Sequence, residues 1–309
     1  MAANVESMFY VRETPWHGLG TRVEEALTSE DALEKGGLRW RVRQEDLMTV
    51  ERYPVPGYRA NIRNDNHAVL GVVTDKYKVV QNDDAFAFTD NLLSEGVTYE
   101  TAGSLNGGKR VWLLAKLPER YKLLDDEVTP YLVFTNSHDG SGAIRVAVTP
   151  VRVVCNNTLN LALNTAKRSW SVAHKGDIQK KLEEARNTLF MANQYLDHLQ
   201  LEAEQLDSIR IADRKALALM EKLLPIPEKA SDLQIKNVEC MRADLQNRYF
   251  EAPDLKYLPK TGWRFINAVS DHATHVEPLR KTKQYKENLF DKTIDGHSMI
   301  DHAMRLLVA

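Results

Sequence analysis

The sequence predicts an α+β protein, with an antiparallel β-meander flanked by helices and a mostly helical C-terminal half. Between residues 97 and 148, short runs rich in Val, Leu and Tyr alternate with turns rich in Asn, Asp and Gly, as strands do. The connections between these runs are too short for crossovers, so the strands are predicted to be antiparallel. After Gly176 the apolar residues recur at helical spacing instead. Strands followed by helices are typical of the α+β class.

Residues 1–60 are predicted to form an N-terminal arm or small subdomain, because Gly and Pro interrupt its pattern repeatedly. We interpret Trp16 and His17, which stand beside two glycines, as an anchor that docks the arm on a neighbouring element or subunit; a ligand site is the alternative. The predicted elements are a helix capped by Ser29 and ended by Gly36-Gly37, and strands near Trp40, near Val42 and over residues 47–53.

Residues 61–175 are predicted to form the α+β core, which begins where the apolar pattern becomes regular. Its strongest signal is a hairpin, in which two strand-like runs flank a turn of Asn and Gly. The predicted elements are one or two strands within residues 68–80, a helix from Asn82 to Gly96, a hairpin of residues 97–104 and 109–117 around Asn106-Gly107-Gly108, and strands over residues 129–135 and 143–148.

After the meander, Pro150 predicts a helix start, because a proline inside a central strand removes a ladder donor. With Thr149 as N-cap and Pro150 in the first turn, the helix is expected to continue to Ala166. One face of this helix is apolar. The opposite face carries residues that follow one another at intervals of four, namely Arg152, Asn156, Asn160 and Asn164.

Residues 176–309 are predicted to form a helical region. Its first helix is long and amphipathic, with apolar residues at helical spacing, and the later helices are separated by proline-containing loops. The predicted helices cover residues 178–199, 212–224, 231–249, 262–272 and 297–307.

Composition limits the function classes. The 309 residues carry a formal net charge of -2, and no apolar run reaches the length of a membrane helix. The first residues lack the pattern of a secretory signal, and two cysteines cannot form a disulfide framework, so we expect a cytoplasmic protein of a bacterial host cell, with no membrane partner. The absence of GxxxxGK[ST] and GxGxxG predicts no nucleotide cofactor.

Charge is distributed unevenly along the chain. Between Gly140 and Lys181 there are seven Lys and Arg against one acid, whereas Leu182 to Leu255 contains 14 acids and nine bases. A local excess of this kind is typical of a polyanion site, although a solvated surface can produce it too. The predicted DNA-binding residues are Lys109, Arg110, Arg145, Arg152, Asn156, Asn160, Asn164, Lys167, Arg168, Trp170 and Lys175.

Each residue type in this set has a physical role in binding single-stranded DNA. Lys and Arg neutralise phosphates, Asn bonds to sugars or base edges, and Trp170 offers a stacking face. The alternative is an amide-rich, solvated helix face. Asn is a poor helix former, so several on one face favour the binding interpretation.

Catalytic chemistry has weaker support in the sequence. Cys155 falls on the apolar face of the predicted helix, where a small buried side chain is expected and a nucleophile is not. A metal-dependent hydrolase or nuclease is the alternative function. Its candidate metal ligands are His272, His275, Asp295 and His297. Helix capping and solvated helix ends also explain these four residues, so no catalytic, metal or cofactor site is predicted.

Several sequence blocks resemble a phage- and plasmid-borne family known as domain of unknown function 932. They extend over nearly the whole chain, and the block from Arg152 to Leu159 is the most specific. The resemblance by itself implies no activity. The blocks are Pro15 to Gly20, Tyr77 to Asn82, Phe134 to Ser141, Thr149 to Leu159, Thr261 to Trp263 and Asn267 to Val269.

The order of helix, antiparallel meander and helix also resembles, more remotely, the core of the phage single-strand annealing proteins and their eukaryotic relative Rad fifty-two. That resemblance implies a homo-oligomer, a ring or a filament, that binds single-stranded DNA and anneals complementary strands without ATP. Such a recombination protein would work with a phage exonuclease or a host single-strand-binding protein. The acidic net charge speaks against it, and a non-enzymatic inhibitor of a host factor is a further alternative.

Overall fold

A computed structural model describes residues 5–11, 21–24, 28–92, 98–118, 120–124, 126–152, 157–158, 169–276 and 297–308. The described residues form an α+β fold whose C-terminal half is mostly helical, as predicted. They divide into two compact units. The first unit draws on residues 1–119, 131–148 and 167–192, and the second on residues 120–130, 149–166 and 193–309.

The described residues contain β-strands and α-helices in an order that places most strands first. The strands are β1 Val5–Val11, β2 Thr21–Val23, β3 Val42–Met48, β4 Pro54–Arg63, β5 Val69–Thr74, β6 Thr98–Leu105, β7 Arg110–Lys116, β8 Tyr121–Leu123, β9 Asp126–Ser137, β10 Ile144–Arg152, β11 Asn157–Thr158 and β12 Ser169–Val172. The helices are α1 Ser29–Lys35, α2 Asn82–Leu92, α3 Ile178–Ser208, α4 Asp213–Leu223, α5 Asp232–Glu251, α6 Gly262–His275 and α7 Ser298–Val308.

The larger sheet of the first unit has the strand order β12-β10-β9-β7-β6-β1-β2. The β6–β7, β7–β9 and β10–β12 pairs are antiparallel, and only the short β1–β2 pair is known to be parallel among the described registers. The predicted hairpin is confirmed: β6 and β7 are joined by Asn106–Gly108, whose three φ angles are all positive, as glycine allows. The sequence did not predict β1, which pairs with β6.

The core of the first unit lies on one face of this sheet. Leu113, Phe134 and Val146 come from three neighbouring strands and are at most 2% exposed. Helices α1 and α2 cover this face with small and aromatic side chains such as Ala32 and Phe86. The predicted α1 and α2 are both confirmed, but the side-chain cap of α1 is Thr28, whose Oγ1 accepts from the Asp31 N–H.

A second, three-stranded sheet in the first unit has the order β3-β4-β5. One face packs on the segment that follows β9. Asn61 Nδ2 donates to the His138 carbonyl at 2.7 Å, and a Cβ added to Gly71 would lie 2.6 Å from the Asp139 backbone. Glycine is therefore required at residue 71 for the two backbones to approach each other.

The prediction of a helix from Pro150 to Ala166 is wrong. Residues up to Arg152 continue β10, and Arg152 pairs with Asn157 of β11. Pro150 lies between the residues of β10 that pair with β12 and those that pair with β11, so its missing N–H falls where the neighbouring strand changes. The β-branched run around it favours a strand.

Helices form most of the second unit, and the predicted bounds of α4 to α7 are close to the observed ones, whereas α3 continues past its predicted end at residue 199 to Ser208. Ser231 begins α5 with a capping box that involves Gln234. Phe265 and Ile266 of α6 are fully buried in the apolar core of this unit. Trp263 Nε1 donates to Asp126 of β9 at 3.0 Å, so the indole nitrogen is satisfied within the core.

None of the described helices is both long enough and apolar enough to cross a membrane.

Candidate nucleic-acid interface

The chain between Gly140 and Lys181, where Lys and Arg are in excess, is called the basic stretch below. In the first unit its cation Arg145 lies on β10, which pairs with β12. Arg145 lies opposite Ser171, and Val146 lies opposite Trp170. Directly opposed residues in an antiparallel pair project from the same face, and neighbours along a strand alternate. Val146 is buried in the core and Trp170 packs against it, so Arg145 and Ser171 project from the opposite face, which we call the polar face.

The β7 strand adds two more cations to the polar face. Val111 and Leu113 are buried in the core, so Arg110 and Lys116 alternate onto the other side. Both side chains are half-buried. The structure therefore brings Arg110 and Arg145, 35 residues apart in sequence, to one face of one sheet. Trp170 lies on the core face and does not join them.

A second group of cations lies beyond the end of β12. The Lys78 N–H donates to the His174 carbonyl at 2.8 Å, and the ring of His174 donates from Nδ1 to the Lys78 carbonyl at 2.9 Å. The rings of Tyr77 and His174 are stacked with centroids 4.5 Å apart. These contacts bring the exposed residues Lys78 and Lys175 side by side. Burial lowers the pKa of His174, so this histidine is a neutral spacer at pH 7.

Lys109 is exposed at the turn between β6 and β7. Its carbonyl accepts from the His138 N–H at 2.7 Å, and its charge lies near Asp139. Burial by itself would raise the pKa of Asp139, but hydrogen bonds from Ser137 and Ser141, together with Lys109, lower it. The charge of Lys109 is therefore partly offset by a carboxylate.

A buried polar network holds the segment that follows β9. Asn82 Nδ2 donates to the Leu38 carbonyl at 3.0 Å, so its Oδ1 accepts from His138 Nε2 at 2.9 Å. Asn136 Nδ2 donates to the Val80 carbonyl at 2.9 Å. Two of the sequence blocks noted above, Tyr77 to Asn82 and Phe134 to Ser141, are thus adjacent in the fold, where they position Lys78.

The network includes the imidazole of His138. His138 is fully buried, and burial lowers its pKa to about 3. The nearby rings of Trp40 and His138 meet edge-on at 5.3 Å. At neutral pH His138 is therefore uncharged, which suits a structural role better than proton transfer.

The stripe of Arg152, Asn156, Asn160 and Asn164 does not form the predicted helix face, because Arg152 belongs to β10. The other predicted site and anchor residues lie outside the described part of the chain, as does Cys155. These are Trp16, His17, Asn156, Asn160, Asn164, Lys167 and Arg168.

The C-terminal histidines contact carboxylates rather than one another. His272 Nδ1 donates to Asp244 at 2.6 Å, and His275 Nδ1 lies 2.8 Å from Asp271. Arg248 bonds to both aspartates at 2.6 Å, which places a cation at the centre of the cluster. Sequence reasoning missed Asp244 and Arg248, although their spacing of four on one helix is a signal for an ion pair.

Within the described ranges, no group of three or more His, Cys, Asp and Glu side chains could hold a metal ion. His297 Nδ1 accepts from the Met299 N–H at 3.2 Å, as a helix cap does. Asp295 lies outside the described residues.

No curated protein and no solved structure matches this chain. A family model does match, over residues 69–293, which include β5, the larger part of the main sheet and helices α3 to α6. The chain belongs to the family described as Domain of unknown function (DUF932).

Proposed function

We propose that this protein is a cytoplasmic single-stranded DNA-binding protein that anneals complementary strands without nucleotide hydrolysis during phage or plasmid recombination. One observation carries the proposal: two described cations of the basic stretch, Arg145 and Lys175, lie in and just beyond the β10–β12 pair at one edge of the main sheet. There Arg145 projects from the polar face, and Lys175 lies beside Lys78, which is distant in sequence. We call Arg145, Lys175 and Lys78 the basic edge.

The side chains near the basic edge suit a phosphate backbone. Ser169 and Ser171 of β12 are exposed hydroxyl residues that alternate with Trp170, so they share the polar face with Arg145. Cations supply the electrostatic attraction to phosphates, and hydroxyls supply neutral hydrogen bonds. The acidic net charge of the whole chain is compatible with binding, because attraction depends on the local field.

The placement of Trp170 refines the expected mode of binding. Its ring packs against the hydrophobic core, so it is unsuited to stack on a base. An interface that relies on backbone contacts leaves the bases unstacked from protein and open to a complementary strand. Annealing needs bases that are accessible to the second strand. It also needs several subunits that hold a long strand in register, so we propose that the protein is a homo-oligomer.

The first experiment is binding of a labelled single-stranded oligonucleotide over a series of salt concentrations. The test variant is Arg145→Gln with Lys175→Gln, and the matched control is Lys215→Gln with Lys229→Gln, two exposed lysines of the second unit. Each lost phosphate contact lowers the slope of log K against log salt by about 0.7, so the test variant should lose about 1.4.

A control variant that binds as weakly as the test variant would contradict this interface. Absence of binding by the wild type at low salt would reject the function as a whole. For annealing, two complementary labelled strands should pair faster with the wild type than without protein, in the absence of any nucleotide. A test variant that anneals at the wild-type rate would show that the basic edge is not needed for annealing.

A further inference from the structure

The β3-β4-β5 sheet has a second face, which we call the outer face. The registers pair Ala60 with Val72 and Ile62 with Val69, so these four side chains share a face. Residues on the inner face alternate with them, and Asn61 and Gly71 identify that side by their contacts with residues 138–139.

The outer face is apolar and open. Tyr58, Val69 and Val72 are 51%, 58% and 55% exposed, respectively. Ala60 and Ile62 lie beside them in the registers and are only 5% and 8% exposed. The exposed apolar area of the outer face therefore comes from Tyr58, Val69 and Val72. Contiguous apolar patches of this kind on soluble proteins mark interaction sites, whereas single exposed residues do not.

The inner face cannot exchange roles with the outer face. Gln44 Nε2 donates to Asn61 at 3.1 Å and also contacts the Tyr77 carbonyl, so polar side chains already bind there. A one-residue shift of register would turn Gln44 and Asn61 to the other side of the sheet and break these hydrogen bonds. The exposure of Val69 and Val72 is thus fixed by the packing of the other side.

The charges at the border of the outer face decide which partner it fits. Arg43 pairs with Ile62 and Glu45 pairs with Ala60 in the β3–β4 register, so both charged residues belong to this face. Arg43 Nε donates to Glu45 at 2.8 Å. One cation and one anion on the same strand give no net charge, so the face does not attract a polyanion. They are complementary to the same pair turned around a two-fold axis.

We propose that the outer face binds the outer face of a second copy of this chain, so that two three-stranded sheets form a small β-sandwich across a two-fold axis. In such an isologous contact, Val69 and Val72 of each copy would pack against those of the other, and each Arg43 would reach the Glu45 of the other copy. Face-to-face sheets pack about 10 Å apart, which apolar side chains of this size fill.

The test is the molar mass of the full chain in solution, by light scattering on a sizing column at several concentrations. The wild type should contain dimers or multiples of dimers, and Val72→Glu should halve the mass of the assembled species. The matched control is Val50→Glu, because Val50 is 97% exposed at the β3–β4 turn and lies outside the outer face. This control should keep the wild-type mass.

Charge exchange tests the geometry separately. Arg43→Glu should weaken self-association at least tenfold, and adding Glu45→Arg should restore it, since the two-fold axis only requires opposite charges. Circular dichroism of each variant checks that the sheet has folded. A monomeric wild type, or an unchanged mass in Val72→Glu, would overturn the proposal. Loss of DNA binding in Val72→Glu at unchanged mass would identify nucleic acid as the occupant instead.

Discussion

Two buried histidines, one in each unit, differ in the side chain to which each is hydrogen-bonded. His138 in the first unit donates from Nε2 to the amide of Asn82, at 2.9 Å. His272 in the second unit donates from Nδ1 to the carboxylate of Asp244, at 2.6 Å. Both side chains are completely buried. The two hydrogen-bond partners differ in charge, because Asn82 is neutral and Asp244 is an anion.

Burial lowers the pKa of both histidines, because a buried imidazolium loses its hydration. For His138 burial dominates, the charge of nearby Asp139 opposes it only weakly, and the pKa falls to about 3. For His272 burial is also the largest contribution and lowers the pKa. The hydrogen bond to Asp244 and the charge of Asp244 raise it and so offset part of the effect of burial. A neutral partner thus makes a scaffold that stays uncharged, and an anionic partner makes an ion network that remains tied to pH.

The largest expected effect comes from removing the neutral partner. Asn82→Ala removes the bond to His138 and those to the Leu38 and Trp40 carbonyls, all within buried surroundings. Because the partners stay behind unsatisfied, we expect the free energy of unfolding to fall by about 3 to 5 kcal/mol. Urea unfolding followed by tryptophan fluorescence measures it. Asn247→Ala, at an exposed site on α5, should change stability by much less; equal losses would contradict the network.

The next effect is the pH dependence that His138 contributes. Its folded pKa of about 3 lies below the unfolded value, so between about pH 6.5 and pH 3 the unfolded state binds the extra proton. Stability should therefore fall on acidification through this window by about 1.4 kcal/mol per pH unit from this residue. His138→Gln should remove that slope.

The slope is obtained from urea unfolding at several pH values between 7 and 4, as the difference between wild type and variant, so contributions of the carboxylates cancel. His302→Gln in α7 is the control and should retain the wild-type slope. If His138→Gln keeps the full slope as well, His138 is already protonated in the folded protein and the comparison with His272 fails.

The smallest effect is expected from Asp244→Asn, which replaces a carboxylate with an amide. Burial alone would raise the pKa of Asp244, but hydrogen bonds from Arg248 and His272 outweigh it and lower the pKa. Such a carboxylate stabilises the fold above its unfolded pKa of about 3.9, and the contribution is lost as pH falls through the folded pKa. Asp244→Asn should cost about 1 to 2 kcal/mol at pH 7, discounted for partial exposure.

The difference in stability between wild type and Asp244→Asn should begin to shrink as the pH falls below about 4, where the carboxylate becomes protonated in the unfolded chain, and should vanish only below the lowered folded pKa. An NMR titration of His272 should in addition show its pKa moving further down in the variant, towards the behaviour of His138. Glu239→Gln, at an exposed position of the same helix, serves as the control. A pKa of His272 that rises in Asp244→Asn would contradict the role assigned to the partner.

Local sequence determined much of the fold. The C-terminal helices α4 to α7 and the β6–β7 hairpin were predicted within a few residues, and the start of α3 was predicted correctly, because helical periodicity, capping residues and an Asn-Gly turn act over short distances. The cationic stretch that contains Arg145 and Lys175 was also visible directly in the sequence. In each of these cases the residues that decide the structure are close together along the chain.

Tertiary structure decided the rest. Pro150 fitted a helix start by local rules, and only pairing with distant strands makes that segment part of β10. Lys78 lies near Lys175 because Lys78 and His174, 96 residues apart, are joined by a backbone hydrogen bond and by a bond from the His174 ring to the Lys78 carbonyl. The same alternation that exposes Ser171 turns Trp170 towards the core. The side of a strand that faces water depends on what packs against it, and that contact is made by parts of the chain that no local pattern brings together.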